Sequence, residues 1–306
     1  LVVVSGPTGS GKSTSLYAAL KEIKSDRTNI TTVEDPVEYQ LDGVNQVQVF
    51  EDIGLTFGAT LRSILRQDPD IVLVGEIRDG ETASIAAQAA LTGHLVLSTL
   101  HTNDAMAAVP RLLDLGIDST GLADALVGVV SQRLVRKLCS SCKTNVTEPL
   151  LPEEEEYMRL TGEQPSCRPV GCEACNFIGF IGRLPVTAIL EVSTDMRAAM
   201  LGGSNNVHEL TEANKGFQTY MAISAGQWII SGDSTIQEVS RELGLRFWRE
   251  LAELNNMKTN ILLENFAGSN SPSENRLKLL CISDRTELLS ALTDHLQYGV
   301  LSVSNE

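Results

Sequence analysis

The sequence lacks long hydrophobic runs and is short of positive charge. No stretch of 18 uninterrupted apolar residues occurs among its 306 residues, so no membrane-spanning helix is predicted. Lysine and arginine number 24 against 39 aspartates and glutamates, which gives a net charge of −15. A nucleic-acid-binding face needs the opposite balance, so no nucleic-acid partner is expected, although a local basic patch is compatible with these totals.

The sequence also lacks the start that a complete fold would have. It shows no signal-peptide pattern, and Leu1 already belongs to a run, Leu1–Ser5, that predicts a buried strand. We therefore expect the chain to be truncated at its N-terminus. Its length predicts about two domains. A hydrophobic content of 42% is enough for a packed core.

A glycine-rich loop that matches G-x-x-x-x-G-K-[ST] in full follows the first predicted strand, and a helix is predicted over Thr14–Leu20. Strand, loop and helix N-terminus in this order form a phosphate cradle, because backbone N–H groups and the helix dipole face the anion. Lys12 should reach the β- and γ-phosphates and Ser13 should hold Mg²⁺. A plain glycine turn is the alternative. The predicted ATP-binding residues are Gly6, Pro7, Thr8, Gly9, Ser10, Gly11, Lys12, Ser13 and Thr14.

Two acidic residues follow further predicted strands. Glu34 comes after Asn29–Val33, and Glu76 follows Ile71–Val74 with Gly75 in the place of the usual Walker B aspartate. Ligands of open α/β sheets bind at the carboxyl ends of the strands. Glu34 could orient and deprotonate the water that attacks the γ-phosphate, and Glu76 could hold Mg²⁺ or its water. A solvated acidic loop and a charged strand-to-helix turn are the respective alternatives.

Two of the four histidines, His94 and His101, bracket a predicted strand at Leu95–Leu100. Because this strand should neighbour the phosphate site, we weigh a sensor or positioning role for both against a hydrogen-bonded structural role.

Strands and helices alternate up to residue 137, which predicts an α/β fold with a parallel sheet covered by helices. A helix is predicted over Thr120–Leu138, because its C-terminal end would carry three basic residues, as the helix dipole prefers. The other helices are predicted at Phe57–Arg66, Glu81–Leu91 and Ala105–Leu115.

Four of the six cysteines form two C-x-x-C pairs, one at Cys139 and Cys142 and the other at Cys172 and Cys175. Each pair can form a thiolate knuckle, and two knuckles complete a closed, structural Cys₄ zinc site. Four unmetallated core cysteines are the alternative. Cys167 and Cys281 have no partner spacing, so ordinary thiols are expected there.

The remainder predicts helices from Val186 to Leu243 and a helix at Leu245–Leu254, then a polar linker at Glu264–Asn275. A strand–helix–strand order over residues 277–303 looks like the start of a receiver-type domain, with a packing appendage or disordered tail as the alternative. The predicted segments are an ATPase core at 1–137, a tetracysteine module at 138–185, a C-terminal helical subdomain at 186–243 and a linker with the receiver-like piece at 244–306.

Four motifs together resemble the Walker A, Asp box, atypical Walker B and His box of the secretion-superfamily ATPases. The resemblance covers residues 1–243 and is greatest to the GspE/PulE type, which powers type II secretion or type IV pilus assembly. The tetracysteine module fits, because pilus-retraction members generally lack it. The motifs are Gly6–Ser13, Ile30–Tyr39, Asp68–Asp79 and Thr92–Asn103.

This resemblance implies a RecA-like P-loop ATPase that assembles as a ring, expected to be a hexamer, with ATP and Mg²⁺ at subunit boundaries. It implies that Glu34 is the catalytic glutamate, Glu76 the Walker B glutamate, and His94 and His101 the His-box histidines. It further implies a cytoplasmic location at the bacterial inner membrane and a platform protein that extrudes pilin-like subunits. In the family, arginines that complete the site come from a domain before the P-loop strand, so hydrolysis by these 306 residues alone is in question.

Two other functions compete with this interpretation. A DNA-handling RecA-type motor shares the P-loop, but the net charge of −15, the cysteine module and the His box count against it. A nucleotide-binding scaffold that does not hydrolyse ATP is the second, and the filled catalytic positions count against it.

Overall fold

The computed structural model describes residues 1–267. The predicted receiver-like strand–helix–strand and Cys281 lie outside the described residues. The described chain divides into two compact units. The first comprises Leu1–Gln132 and Ala188–Thr219, and the second comprises Arg133–Thr187 and residues 220–267.

The first unit is built on the parallel sheet that the sequence predicts. The whole sheet has seven strands in the order β3-β2-β4-β5-β1-β6-β9. The strands are β1 (Val2–Ser5), β2 (Ile30–Glu34), β3 (Asn45–Gln48), β4 (Ile71–Val74), β5 (Leu95–Leu100), β6 (Gly128–Leu138) and β9 (Phe180–Glu191). The pairs β1–β5, β1–β6, β2–β3, β2–β4 and β4–β5 are all parallel.

Helices cover both faces of this sheet, as buried parallel strands require. Val2 and Val4 pack with Leu16 and Leu20 on one face, and Val3 faces the other. An alanine-rich helix packs closely on that second face. The helices of the first unit are α1 (Lys12–Ile23), α2 (Phe57–Ile64), α3 (Gly80–Leu91), α4 (Ala108–Asp114), α5 (Ser119–Ala125), α7 (Thr194–Leu201) and α8 (Val207–Ala213), with a 3₁₀ turn at Glu51–Ile53. The α/β fold class predicted from the sequence is confirmed.

The second unit holds the five cysteines of the described residues and most of the C-terminal helices. A small antiparallel pair is formed by β7 (Thr144–Asn145) and β8 (Cys167–Arg168). The helices are α6 (Pro152–Thr161), α9 (Met221–Ile230), α10 (Ile236–Leu243) and α11 (Leu245–Ala267), with a 3₁₀ turn at Glu173–Cys175. Along residues 1–267, no helix combines the length and the apolar character that crossing a membrane demands.

The predicted helix over Thr120–Leu138 is correct as far as Ala125 and wrong beyond it. Helix α5 ends at Ala125, and Gly128–Leu138 is strand β6, which pairs with β1 from Val2 to Ser5. The β-branched pair Val129 and Val130 is fully buried in this ladder, so tertiary pairing decides the conformation rather than the charges at the end of the segment.

Two other predicted boundaries are corrected. Residues 186–191 belong to strand β9, not to a helix, because Val186–Leu190 is a continuous buried run without helical spacing. Helix α11 extends to Ala267 and so includes the start of the predicted linker. The four predicted segments do not follow the division into compact units, and their status as separate domains stays a prediction.

A buried carboxylate on α10 of the second unit is hydrogen-bonded to β6. Glu238, 1% exposed in its side chain, accepts hydrogen bonds from the backbone N–H of Arg136 at 3.0 Å and from Nη2 of Arg136 and Arg241 at 2.6 and 2.8 Å. Burial opposes ionisation, but the hydrogen bonds and charge of Arg136 outweigh it and hold the pKa of Glu238 below its ordinary value.

Replacing Glu238 with glutamine should lower the free energy of unfolding of the second unit by about 1–3 kcal/mol at pH 7, because hydrogen bonds to a buried charge are lost. A depressed folded-state pKa stabilises the fold above the ordinary carboxyl value of 4.5, and this contribution is lost as pH falls through the folded-state pKa. The difference between wild type and Glu238→Gln should therefore shrink below that pH. Both tryptophans, Trp228 and Trp248, lie in the second unit, so tryptophan fluorescence during urea unfolding measures it.

Glu242→Gln is the matched control. Glu242 pairs with Arg241 at 2.9 Å from a side chain 34% exposed, so its loss should cost less than about 1 kcal/mol. Equal effects of the two substitutions would contradict the role given to Glu238.

Candidate functional site

The loop after β1 has the backbone of a phosphate cradle. Gly6, Gly9 and Gly11 have φ angles of 148°, 78° and 82°, which side-chain-bearing residues rarely adopt. A Cβ on Gly6 would lie 2.4 Å from the backbone oxygen of Gln132. Helix α1 begins at Lys12 with no side-chain cap, so its first N–H groups face the loop without a side-chain acceptor. These features fit a bound phosphate.

Lys12 is held inside this loop. It is 8% exposed, and its Nζ donates to the backbone oxygens of Gly6 at 3.0 Å and Pro7 at 3.1 Å. Burial lowers the pKa of Lys12, and Glu76 is close enough to oppose that shift. Ser13 is exposed at the first turn of α1, beside the half-buried Thr14, where its hydroxyl could reach a cation.

Gln132 supports the loop from β6, and the sequence did not indicate it. Its Nε2 donates to the backbone oxygen of Ser10 at 2.7 Å, and its Oε1 accepts from Ser15 Oγ at 2.8 Å. The residue is 1% exposed. No local signal could have found it, because its segment is predicted helical and its contacts join residues more than a hundred positions apart.

Glu76 and His101 lie close together at the carboxyl ends of β4 and β5. Nε2 of His101 lies 3.7 Å from Glu76 Oε2, and Nη2 of Arg78 lies 2.5 Å from Glu76 Oε1. Nη1 of Arg78 also lies 3.9 Å from Asp35 Oδ2. Arg78, for which no role was predicted, thus joins the Asp-box segment to the atypical Walker B segment.

The surroundings of His101 favour the neutral form of its imidazole. Burial lowers its pKa below the ordinary value of 6.5, Lys12 and Arg78 lower it further, and Glu76 acts in the opposite sense. A neutral imidazole can donate from one ring nitrogen and accept at the other. His101 is therefore suited to orienting a neighbouring polar group.

His94 lies at the opposite side of the sheet, where the amino end of β5 begins. It precedes β5 whereas His101 follows it, and a six-residue strand spans about 20 Å. Its Nδ1 lies 3.0 Å from the backbone oxygen of Ala89 and 3.2 Å from Thr92 Oγ1, at the end of α3. The structure thus brings His101, but not His94, to the phosphate loop of its own chain.

Glu34 ends β2 in a buried polar network. The residue is 4% exposed. Its Oε1 accepts from Thr32 Oγ1 at 2.6 Å and from Gln46 Nε2 at 3.2 Å, and its Oε2 accepts a short hydrogen bond from the hydroxyl of Tyr17 in α1. The carboxylate is therefore fixed to the helix that begins at Lys12.

The four paired cysteines of the second unit converge. The sulfurs of Cys139, Cys142, Cys172 and Cys175 all lie within 4.8 Å of one another. Three Sγ–Sγ distances are 3.9, 3.8 and 3.8 Å. Sulfurs at the corners of a tetrahedron with metal–sulfur bonds of about 2.3 Å would be about 3.8 Å apart. The cluster fits a tetrahedral thiolate metal site.

Backbone N–H groups point at these sulfurs, as in thiolate knuckles. Gly171 N donates to Cys142 Sγ at 3.3 Å, and the N–H groups of Cys172 and Gly179 each donate to Cys175 Sγ at 3.2 Å. Burial would raise the pKa of Cys175, but the N–H groups of Cys172 and Gly179 and the neighbouring thiols of Cys142 and Cys172 outweigh it and lower the pKa to about 6. Cys167 stands outside the cluster, with its Sγ 3.9 Å from Asn145 Oδ1.

Residues 1–241 match a family model described as "Type II/IV secretion system protein". The chain is 47% identical to type II secretion system protein E of Pectobacterium carotovorum subsp. carotovorum, over 79% of this chain and 48% of that protein. It is 44% identical to the type IV pilus assembly ATPase PilB of Myxococcus xanthus (strain DK1622), over 78% and 43% respectively. The chain thus spans about half the length of the curated relatives it matches.

Among solved structures, the crystal structure of the pilus retraction motor PilT with bound ADP is similar to this chain. The TM-score is 0.55 at 29% sequence identity, and the match covers 78% of this chain and 59% of that one. The span matched by the family model agrees with the 243 residues on which the motifs predicted the resemblance.

The pKa of His101 should depend on Lys12. Lys12→Met removes a positive charge that disfavours the imidazolium, so the NMR titration midpoint of His101 should rise toward the ordinary value of 6.5. Lys21→Met, at an exposed position of the same helix, is the control and should leave the midpoint unchanged. The resonance is assigned by its absence in His101→Gln. A midpoint that both substitutions move equally would show that Lys12 has no special proximity to His101.

Proposed function

Because the chain belongs to the type II/IV secretion system protein family, we propose that it is the ATP-hydrolysing part of a type II secretion or type IV pilus assembly motor. The family predicted from the four motifs is confirmed. The observation that carries the proposal is the meeting of Lys12, Glu76 and His101 at one edge of the sheet. Similar proteins are named for both secretion and pilus assembly, so the proposal covers both machines.

The loop would bind the triphosphate of ATP. Lys12 would exchange its two backbone acceptors for phosphate oxygens, and the N–H groups at the start of α1 would donate to the same anion. Mg²⁺, when bound, supplies charge neutralisation between phosphates, and Ser13 and Glu76 are the residues that would hold it or its water.

Glu34 would align the attacking water and accept its proton. His101, neutral and beside Glu76, would position the phosphate end of the site. For His94 we assign the structural alternative, because its contacts are with the end of α3 at the opposite edge of the sheet.

We extend the proposal to the assembled machine. The chain would form a homo-oligomeric ring, expected to be a hexamer, in the cytoplasm at the bacterial inner membrane, and would act on a platform protein there. The support is family membership and the motor ATPases among its relatives. The net charge of −15 disfavours the DNA-handling alternative, which DNA-dependent turnover would support instead. ATP binding without turnover would support the scaffold alternative.

We also propose that the Cys₄ cluster holds a structural Zn²⁺. Thiolate ligands, sulfur spacings near 3.8 Å and N–H···S bonds support this ion, and four protein ligands leave no open position for catalysis. The site would fix the two knuckles of the second unit to each other.

Mg-ATP binding tests the cradle directly. Lys12→Ala should weaken binding by about 10- to 100-fold in calorimetry, because a charged hydrogen-bond donor to phosphate is lost. Lys21→Ala, on the same helix but exposed, should bind as wild type does. Phosphate release by the wild-type chain then tests hydrolysis. Equal weakening by both substitutions, or no binding by wild type, would contradict the proposed site.

Elemental analysis tests the metal proposal. The wild-type chain should contain about one Zn²⁺, and Cys172→Ser should lose it, since three thiolates cannot close the tetrahedral site. Cys167→Ser is the matched control and should retain the metal, because that sulfur lies outside the cluster. Removing the metal should also lower the unfolding midpoint reported by tryptophan fluorescence. A wild-type protein free of zinc as purified, and unable to take it up, would refute the site.

A further inference from the structure

The buried tyrosine of α1 joins the phosphate loop to Glu34. Tyr17 is fully buried, and its hydroxyl donates to Glu34 Oε2. It lies five residues after Lys12 in one continuous helix, a rise of about 7.5 Å. The residue that should contact the phosphates and the residue that holds Glu34 therefore belong to one rigid element.

The two oxygens of Glu34 are unequally engaged. Oε1 accepts two hydrogen bonds, from Thr32 and Gln46, whereas Oε2 accepts one from Tyr17 within the described part of the chain. A carboxylate oxygen has two lone pairs. Oε1 is therefore filled, and Oε2 keeps one lone pair for a water molecule. The direction of that lone pair depends on where Tyr17 holds the carboxylate.

The tyrosine itself is tightly constrained. Its ring meets that of Tyr39 edge-on, with centroids 4.7 Å apart, and Gln46 Nε2 lies 3.3 Å from its hydroxyl oxygen. Burial raises the pKa of Tyr17, and its hydrogen bond to Glu34 raises it further. The hydroxyl thus stays protonated at physiological pH and remains a donor.

We propose that Tyr17 is a positioning residue for hydrolysis: its hydroxyl orients Glu34 so that Oε2 receives the attacking water. This inference rests on the proposed function. It adds a specific oxygen and a specific donor, and it makes α1 the element that sets the distance between phosphate loop and base. A purely structural tyrosine would contribute packing alone, which phenylalanine could supply.

The test is a double-mutant cycle on steady-state ATP hydrolysis by the full 306-residue chain. Glu34→Gln should keep nucleotide binding and lower kcat by about 10²- to 10⁴-fold, the scale of a positioned base. Tyr17→Phe should lower kcat by about 10- to 100-fold, with the Mg-ATP dissociation constant close to wild type. In the Glu34→Gln background, Tyr17→Phe should have no further effect, because it acts through that carboxylate.

Tyr39→Phe is the matched control. It removes a hydroxyl from the ring packed on Tyr17, and Tyr39 is not among the donors to Glu34 in the described residues, so kcat should stay at the wild-type value. A wild-type kcat for Tyr17→Phe would overturn the inference, as would additive losses in the double mutant, and both would leave the proposed function intact if Glu34→Gln is slow. A wild-type chain that binds Mg-ATP without releasing phosphate would overturn both.

Discussion

The parallel pairing of β1 with β5, and of β5 with β4, is the constraint on which the site depends. The register places Ser5 beside Leu100 and Val74 beside Ser98. The phosphate loop, His101 and Glu76 therefore all lie just beyond the carboxyl ends of neighbouring strands. The pairing of β4 with β2 adds Glu34 to the same edge. In sequence these groups are spread over about a hundred residues. Hydrogen bonding between parallel strands, and not any local motif, makes them neighbours.

Local signals predicted the parts of the fold that are locally determined. Strands β4 and β5 have the predicted bounds, and the glycine loop between β1 and α1 needs only its own backbone preferences. Strand β6 could not be predicted from local signals. Its apolar start is a strand because it pairs with β1, whereas the basic residues at its end are also typical of a helix C-terminus. Because strand β6 was not predicted, the supporting role of Gln132 on that strand was not predicted either. Its partners Ser10 and Ser15 could be identified only once that strand was placed beside β1.

The candidate site was predictable in its residue types but not in its connections. Four thiolates and a P-loop lysine are chemically specific enough to be found by spacing. The polar network around Glu34 is not, because Thr32, Gln46 and Tyr17 are ordinary strand and helix residues until the fold buries them together. Burying a carboxylate without such hydrogen-bond donors would cost free energy. His94 is the opposite case. Its residue type and motif could be recognised in the sequence, but the fold places it at the far end of β5 from the phosphate loop.

The charges at the carboxyl ends of these strands also indicate which further charges phosphoryl transfer would require. Arg78 is committed to Glu76 at 2.5 Å and approaches Asp35, so within the loop itself Lys12 is the positive side chain. Lys12 is buried, and burial disfavours its charged form until an anion arrives. One lysine and a set of backbone donors are enough to bind a phosphate. A transferring phosphoryl group spreads more negative charge and requires further cations. Mg²⁺, which Ser13 and Glu76 are proposed to hold, would be one of them.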